Sequence, residues 1–220
     1  MSASFRLHVS GPYACFTRPE MKVERVSYDV ITPSAARGIL ESVLWKPAMR
    51  WIIERIEVLR PIRFVSVRRN EVGQRASPPT AAQIAGRAPP PSLDATAQAH
   101  RQQRASLLLR DVEYVIQARI ALSDKAGPDE TLVKFREMFQ RRAARGQWAR
   151  SPCLGTREFA ADVRLADAAT PAPLAEDRDL GWMLHDLVWS ASGANPRFFR
   201  AAMRQGVIDV PHLEAPEVVA

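Results

Sequence analysis

Between residues 60 and 110 the chain carries nine cations and two carboxylates, and all nine cations are arginines. A guanidinium pairs bidentately with phosphate and stacks on bases, so a cluster of this kind points to RNA or DNA as partner. Residues 1–59 carry 8 basic and 6 acidic groups and residues 111–220 carry 14 and 16, so the middle segment accounts for the net charge of +7. The pI of about 10.1 agrees. A GC-rich coding sequence would explain 27 arginines against 4 lysines equally well, but not their clustering. No Phe, Trp or Tyr occurs from Val65 through Glu113. The segment is therefore no stacking platform for single strands and is expected to grip the phosphates of a duplex or hairpin.

Other chemistries find little support. His8, His100, His185 and His212 are scattered singly, and Cys15 and Cys153 lie far apart with no CxxC. Neither a metal site nor a disulfide framework is suggested, and the cysteines read as two buried free thiols. There is no GxGxxG, GxxxxGK[ST], HExxH, GxSxG or EF-hand loop, which leaves nucleotide-driven and zinc-peptidase reactions unsupported. No cofactor is called for. No apolar run exceeds four residues, Tyr13 to Phe16, too short to span a bilayer. The first eight residues lack a secretory apolar core, so a cytoplasmic protein is expected.

The elements that must carry these arginines follow from periodicity. Phe5, Leu7 and Val9 alternate with Arg6 and His8 as a half-buried strand that Gly11-Pro12 should end. Thr32-Pro33 opens a helix whose apolar face is Ile39, Leu40, Val43 and Leu44, stopped by Pro47. Trp51–Leu59 and Ile62–Arg69 read as two extended stretches hinged at Pro61. Residues 76–96 hold five prolines and read as a long loop inside one domain. A strand from Val112 to Leu122 alternates clearly. Pro128-Asp129-Glu130 starts a helix that ends in arginines before Gly146, with Leu132, Phe135 and Phe139 as its buried stripe. Phe159, Ala161, Val163 and Leu165 form a last strand. This order predicts an α+β, ferredoxin-like domain over 1–165: an antiparallel sheet covered on one face by two helices. Residues 166–220 read as a small extension with an apolar stretch, Leu180–Trp189, and a helix over Phe198–Gln205. Trp45 and Trp51 are assigned to the core.

Longer ordered blocks say more. GPYACFTRPEMKVERVSYDV from Gly11 to Val30 is followed by PSAARGILE from Pro33 to Glu41 and by Trp45-Lys46-Pro47. Then come RRNEV from Arg68 to Val72, RQQRA from Arg101 to Ala105, and PCLGTREF from Pro152 to Phe159. Together, and with Arg178-Asp179-Leu180-Gly181 and Gly206-Val207-Ile208, they closely resemble the Cas-five-d (Dvulg) family of type I-C CRISPR systems. The resemblance implies a RAMP-type, RRM-like domain with a small C-terminal β extension. It also implies metal-free cleavage of CRISPR repeat RNA at the base of its hairpin. The protein would then stay on the 5′ handle beside the other interference-complex subunits.

Such cleavage needs a group that activates the 2′-hydroxyl, cations for the phosphorane, and an acid for the leaving 5′-oxygen. Family members place a tyrosine immediately before Trp-Lys-Pro and complete the site with a Lys-His pair. Here Leu44 stands at the tyrosine position and no Lys-His dipeptide occurs. The candidates for the missing roles are Lys46, His100 and Tyr28. Arg18, Lys22, Arg25, Arg68, Arg69, Arg101 and Arg104 are expected to contact RNA phosphates. The departure from the family pattern leaves a second reading, a non-catalytic subunit that binds guide RNA and contacts double-stranded DNA, and the basic segment leaves a third, a general double-stranded DNA binder.

Overall fold

The computed structural model describes residues 4–21, 23–73, 77–90, 98, 100–190 and 193–220. Strand β1 (Phe5–Ala14) begins as its alternation predicts, with Phe5, Leu7 and Val9 buried. It does not stop at Gly11-Pro12. Its antiparallel pairing with β5 (Arg101–Leu122) runs through Gly11↔Val112, skips one residue on each side, and resumes at Tyr13↔Arg110. Pro12 sits in the skipped position, where its missing N–H removes no rung, opposite Asp111 in the left-handed conformation at φ 53°.

Helix α1 (Pro33–Val43) starts as predicted. The Thr32 hydroxyl accepts from the Ala35 amide at 3.3 Å, Pro33 occupies the first turn, and Ile39, Leu40 and Val43 are buried. β3 (Met49–Val58) and β4 (Phe64–Val72) lie on the same edge of β5, β3 against its Tyr114–Leu122 half and β4 against Arg101–Leu109. Arg68, Arg69, Arg101, Arg104 and Arg110 of the basic segment therefore lie on strands. On the other edge lie β1 and the short β2 (Arg25–Val26), which pairs parallel with Ser106 and Leu107. β6 (Asp162–Leu165) joins β1 and β9 (Val207–Asp209) joins β3, giving the order β6-β1-β5-β3-β9, antiparallel along this path. Half of β5 thus belongs to the main sheet, and half forms an arm with β4 on which no β4 residue is buried.

Within the Pro-rich segment, α2 (Ala81–Ile84) is one turn closed by a Thr80–Gln83 capping box; residues 76 and 91–96 fall outside the described residues. α3 (Leu132–Ala144) is capped by Thr131, so Asp129 and Glu130 precede the helix instead of occupying its first turn. The core joins α3 to the sheet through aromatic edges: Phe139 lies 4.9 Å from Phe5 and 4.7 Å from Trp51, centroid to centroid.

β7 (Arg178–Ser190) and β8 (Gly193–Met203) form a separate two-stranded sheet. The helix expected over Phe198–Gln205 is instead part of β8. Phe199, Ala201 and Met203 are buried and Arg200 and Ala202 exposed, a period of two that the Phe198-Phe199 pair and the alanines disguise. Two other expectations need correction. Trp45 is 54% exposed while Trp51 is buried, because α1 ends at Val43 and the chain turns outward. Of the cysteines, Cys15 is buried but Cys153 only half-buried.

A loop over residues 152–160 is clamped onto the end of β1. The Cys15 amide donates to the Leu154 carbonyl at 3.1 Å, and Gly155, at φ +88°, lies where a Cβ would come within 2.0 Å of the Cys15 carbonyl oxygen. Only glycine fits there, and the clamp carries Glu158 to the arm. No helix among the described residues is long and apolar enough to cross a membrane.

Candidate nucleic-acid interface

The register of the arm sorts the expected RNA contacts onto two faces. Arg69 is opposite Arg104 and Glu71 opposite Gln102, and the alternation puts these four on one face. There Arg25 lies 3.2 Å from Glu158 and 3.7 Å from Glu71. Arg69 pairs with Glu71 at 3.1 Å and also with Glu158. Arg104 Nε stands 4.0 Å from Glu71. Three guanidiniums thus share two carboxylates, leaving one net positive charge. Arg68 and Arg101 occupy the opposite face, across from Ala105 and Val72, exposed and with no ion-pair partner among the described residues. Arg18 stands apart: its guanidinium lies 4.4 Å above the Tyr28 ring and 3.3 Å from Asp29. Lys22 lies outside the described residues.

The three catalytic candidates do not converge. Lys46 follows α1 at the Met49↔Leu122 end of β5, whereas His100 immediately precedes Arg101 at its other end. A strand of 22 residues separates these ends by about 70 Å of chain path. Both side chains are exposed. Tyr28 is only 2% exposed, stacked under Arg18 and hydrogen-bonded to the Leu184 backbone. Burial, with Glu20 second, pushes its pKa above the ordinary phenol value, so it is poorly placed to act as a base. Leu44, fully buried, brings no proton-transfer group; its carbonyl accepts from Trp51 Nε1 at 2.9 Å.

One titratable group went unnoticed in the sequence. On the sheet face opposite Leu7 and Val9, His8 Nε2 lies 2.7 Å from Glu113 Oε1, and Arg60 Nε donates to Glu113 Oε2 at 2.6 Å. Burial opposes ionisation of Glu113, but the hydrogen bonds from Arg60 and His8 outweigh it and hold the carboxyl below its ordinary pKa. Only the polar alternation of both strands hinted at it; the pairing of β1 with β5 brings the two together. Among the described residues no group of three His, Cys, Asp or Glu side chains could hold a metal ion.

Comparison with known proteins agrees with these blocks and this fold. The family model for CRISPR-associated protein (Cas_Cas5), in its Cas5d form, matches residues 4–211. The chain is 53% identical over 224 residues, 99% of each chain, to a protein of Mannheimia succiniciproducens named CRISPR pre-crRNA endoribonuclease Cas5d. A crystal structure of a CRISPR-associated protein superposes with a TM-score of 0.70 at 22% identity, covering 100% of this chain and 97% of that one. A chain of a CRISPR RNA-guided surveillance complex gives 0.51 at 16% identity, covering 99% and 91%. These two likenesses speak to the α+β fold, the 53% identity to descent. With the Gly11–Val30 block, the Trp45-Lys46-Pro47 turn and the Gly155 clamp all in place, the chain belongs to the Cas5d family of CRISPR-associated proteins.

Proposed function

We propose that this protein is a pre-crRNA endoribonuclease that cuts CRISPR repeat hairpins and remains on the 5′ handle as a subunit of a type I-C interference complex in the cytoplasm. The observation that carries this reading is the end-to-end likeness to the Mannheimia pre-crRNA endoribonuclease. The unpaired Arg68 and Arg101 on an extended arm, suited to the backbone of a folded RNA, support it. We read the sheet as ferredoxin-like: α1 links β1 to β3, α3 links β5 to β6, and these four strands lie in the order β6-β1-β5-β3. Residues 1–165 then form the RAMP domain and residues 166–220 the extension, which lends β9 to its edge.

Cleavage proceeds by in-line attack of the 2′-oxygen on the adjacent phosphorus, with rupture of the P–O5′ bond. The 2′-hydroxyl proton goes to a base, O5′ takes a proton from an acid, and a 2′,3′-cyclic phosphate and a 5′-hydroxyl result without a metal ion. We assign Lys46 the stabilisation of the phosphorane charge, since it is the exposed cation retained beside the family's Trp-Lys-Pro turn. His100 sits with Arg101 and Arg68 at the arm and is assigned to the hairpin backbone; Tyr28 supports Arg18.

The separation of Lys46 from His100, with Leu44 buried at the tyrosine position, favours a second reading: a subunit that binds guide RNA without cutting it. Incubating the full-length protein with its repeat hairpin in EDTA separates the two. The first reading expects a cyclic-phosphate product and no cutting when the scissile nucleotide is 2′-deoxy. Tight binding with RNA recovered intact selects the second. Competition by duplex DNA at physiological salt tests the additional DNA contact.

A further inference from the structure

We propose that a cavity between α1, β3 and β7 takes up one unpaired nucleobase of the bound RNA, stacked against Trp45 or Trp189. The inference rests on the RNA-processing role above and names a subsite for it. The cavity measures about 410 Å³, within the range of roughly 300–1,000 Å³ usual for small-molecule sites. Trp45 and Trp189 both line it and are 54% and 74% exposed. Large indole faces left in water at the wall of one cavity are the kind of surface on which bases stack. The basic arm has no aromatic side chain between Val65 and Glu113, so stacking must occur elsewhere.

Polar side chains stand behind the aromatic wall. His185 lines the cavity and is 9% exposed. Its Nε2 donates to the Pro211 carbonyl, which can only accept, at 2.8 Å. Among the described residues its Nδ1 has no hydrogen-bond partner, and neither has the Nε–H of Arg37 on the same wall. Both nitrogens lie beneath the accessible surface, so what an occupant meets is the exposed faces of Trp45 and Trp189 and not these atoms.

The wall carries Glu41, Asp186 and Glu214 against Arg37 and Arg50, which disfavours a phosphate inside it. The Arg37 guanidinium is already held by Glu41 and Asp186, each at 2.6 Å, so the wall has no cation to spare except Arg50. Arg50 and Lys46 are exposed beside the aromatic face and have no ion-pair partner among the described residues. A base seated inside would leave its phosphates at these two cations, next to the lysine assigned to the reacting phosphate.

The test measures the affinity of wild type, Trp45→Ala and Trp189→Ala for repeat RNA with its single-stranded flanks, in parallel with the same RNA carrying one abasic site at each unpaired position in turn. The alanine variant that removes the stacking ring should bind the intact RNA about 5- to 150-fold more weakly, the range for one base–aromatic stack. One abasic position should cost wild type a similar factor and cost the corresponding variant nothing further, and Trp189→Phe should restore most of the binding. Wild-type affinity in both alanine variants, or losses that multiply with every abasic site, would overturn the inference while leaving the RNA-processing role intact. Failure of wild type to bind repeat RNA at all would overturn both. Because both side chains project into solvent, unchanged melting temperatures accompany the expected result.

Discussion

Arg68 and Arg101 stand exposed on one face of the β4–β5 arm, and a phosphate reaching them displaces no carboxylate; on the other face Arg25, Arg69 and Arg104 are spoken for by Glu71 and Glu158. This asymmetry can be measured. Each phosphate contact adds roughly 0.7–0.9 to the slope of log K against log salt, depending on whether the nucleic acid is single- or double-stranded. Removing both free cations in Arg68→Ala with Arg101→Ala should therefore lower the slope by about 1.4–1.8. At about 0.15 M salt that difference corresponds to roughly a 20-fold loss of affinity, shrinking towards nothing near 1 M. Glu71→Gln with Glu158→Gln should do the reverse, raising the local net charge of the other face from one to three and steepening the slope. Fluorescence anisotropy titrations of labelled repeat hairpin at four or five salt concentrations give both slopes directly. An unchanged slope in the arginine double variant would refute the assignment of phosphates to this face. An unchanged slope in the glutamine variant would refute the idea that the carboxylates hold the other three arginines in reserve.

Lys46→Ala should slow cutting of the repeat hairpin at least 10-fold in single-turnover assays with a much smaller effect on affinity; equal losses in both would make Lys46 a binding residue. Gly155→Ala forces a side chain into the left-handed region and against the Cys15 carbonyl, so urea unfolding should show a loss of about 3 kcal/mol or more, and a wild-type midpoint would mean the clamp is not rigid. The Glu113 carboxyl has a folded pKa below its ordinary value. Its contribution to stability is therefore present above about pH 4.3, the unfolded value, and is lost as pH falls through the folded one. Glu113→Gln should accordingly flatten the decline of melting temperature between about pH 5 and 3, and a variant with the wild-type acid limb would place the acid-sensitive group elsewhere.

The elements that could be read from the sequence are those whose burial follows one period. Phe5, Leu7 and Val9, the Thr32-Pro33 start of α1, and Val112–Leu122 each announce their own state because one face is dry and the other wet. Where burial is weak the period fades. Arg101–Leu109 is strand, yet it lies on an arm with water near both faces, so its residues show no apolar alternation beyond Ser106 and Leu108. β8 fails for a different reason. Its outward positions carry Phe198 and Ala202, side chains that resemble the buried Phe199 and Ala201 closely enough to blur two into a helical repeat. The passage of β1 through Pro12 was equally hidden, since a proline ends a strand unless the partner yields a residue, and that residue, Asp111, lies 99 positions away.

The site shows the same division between what is local and what is not. Composition shows where the guanidiniums cluster, but which of them are free to meet phosphate depends on where the fold sets carboxylates beside them. Glu158 reaches Arg25 and Arg69 only because Gly155 lets its loop close on Cys15. Glu71 neutralises its neighbours only because the hairpin register sets it beside Arg69 and Arg104 and not on the face of Arg68. A count of charges per segment includes Glu71 but misses Glu158 and Arg25, which the fold brings to this arm from outside residues 60–110. The same logic separates Lys46 from His100: each satisfies the chemistry of a catalytic residue by type, but a 22-residue strand stands between them, and a phosphorus atom can be reached by only one of the two. If Lys46 holds the phosphorane as proposed, the proton donor for the leaving oxygen comes from its neighbourhood, where His185 and His212 line the adjoining cavity; His212→Ala should then lower the cutting rate without weakening binding, and an unchanged rate would exclude His212.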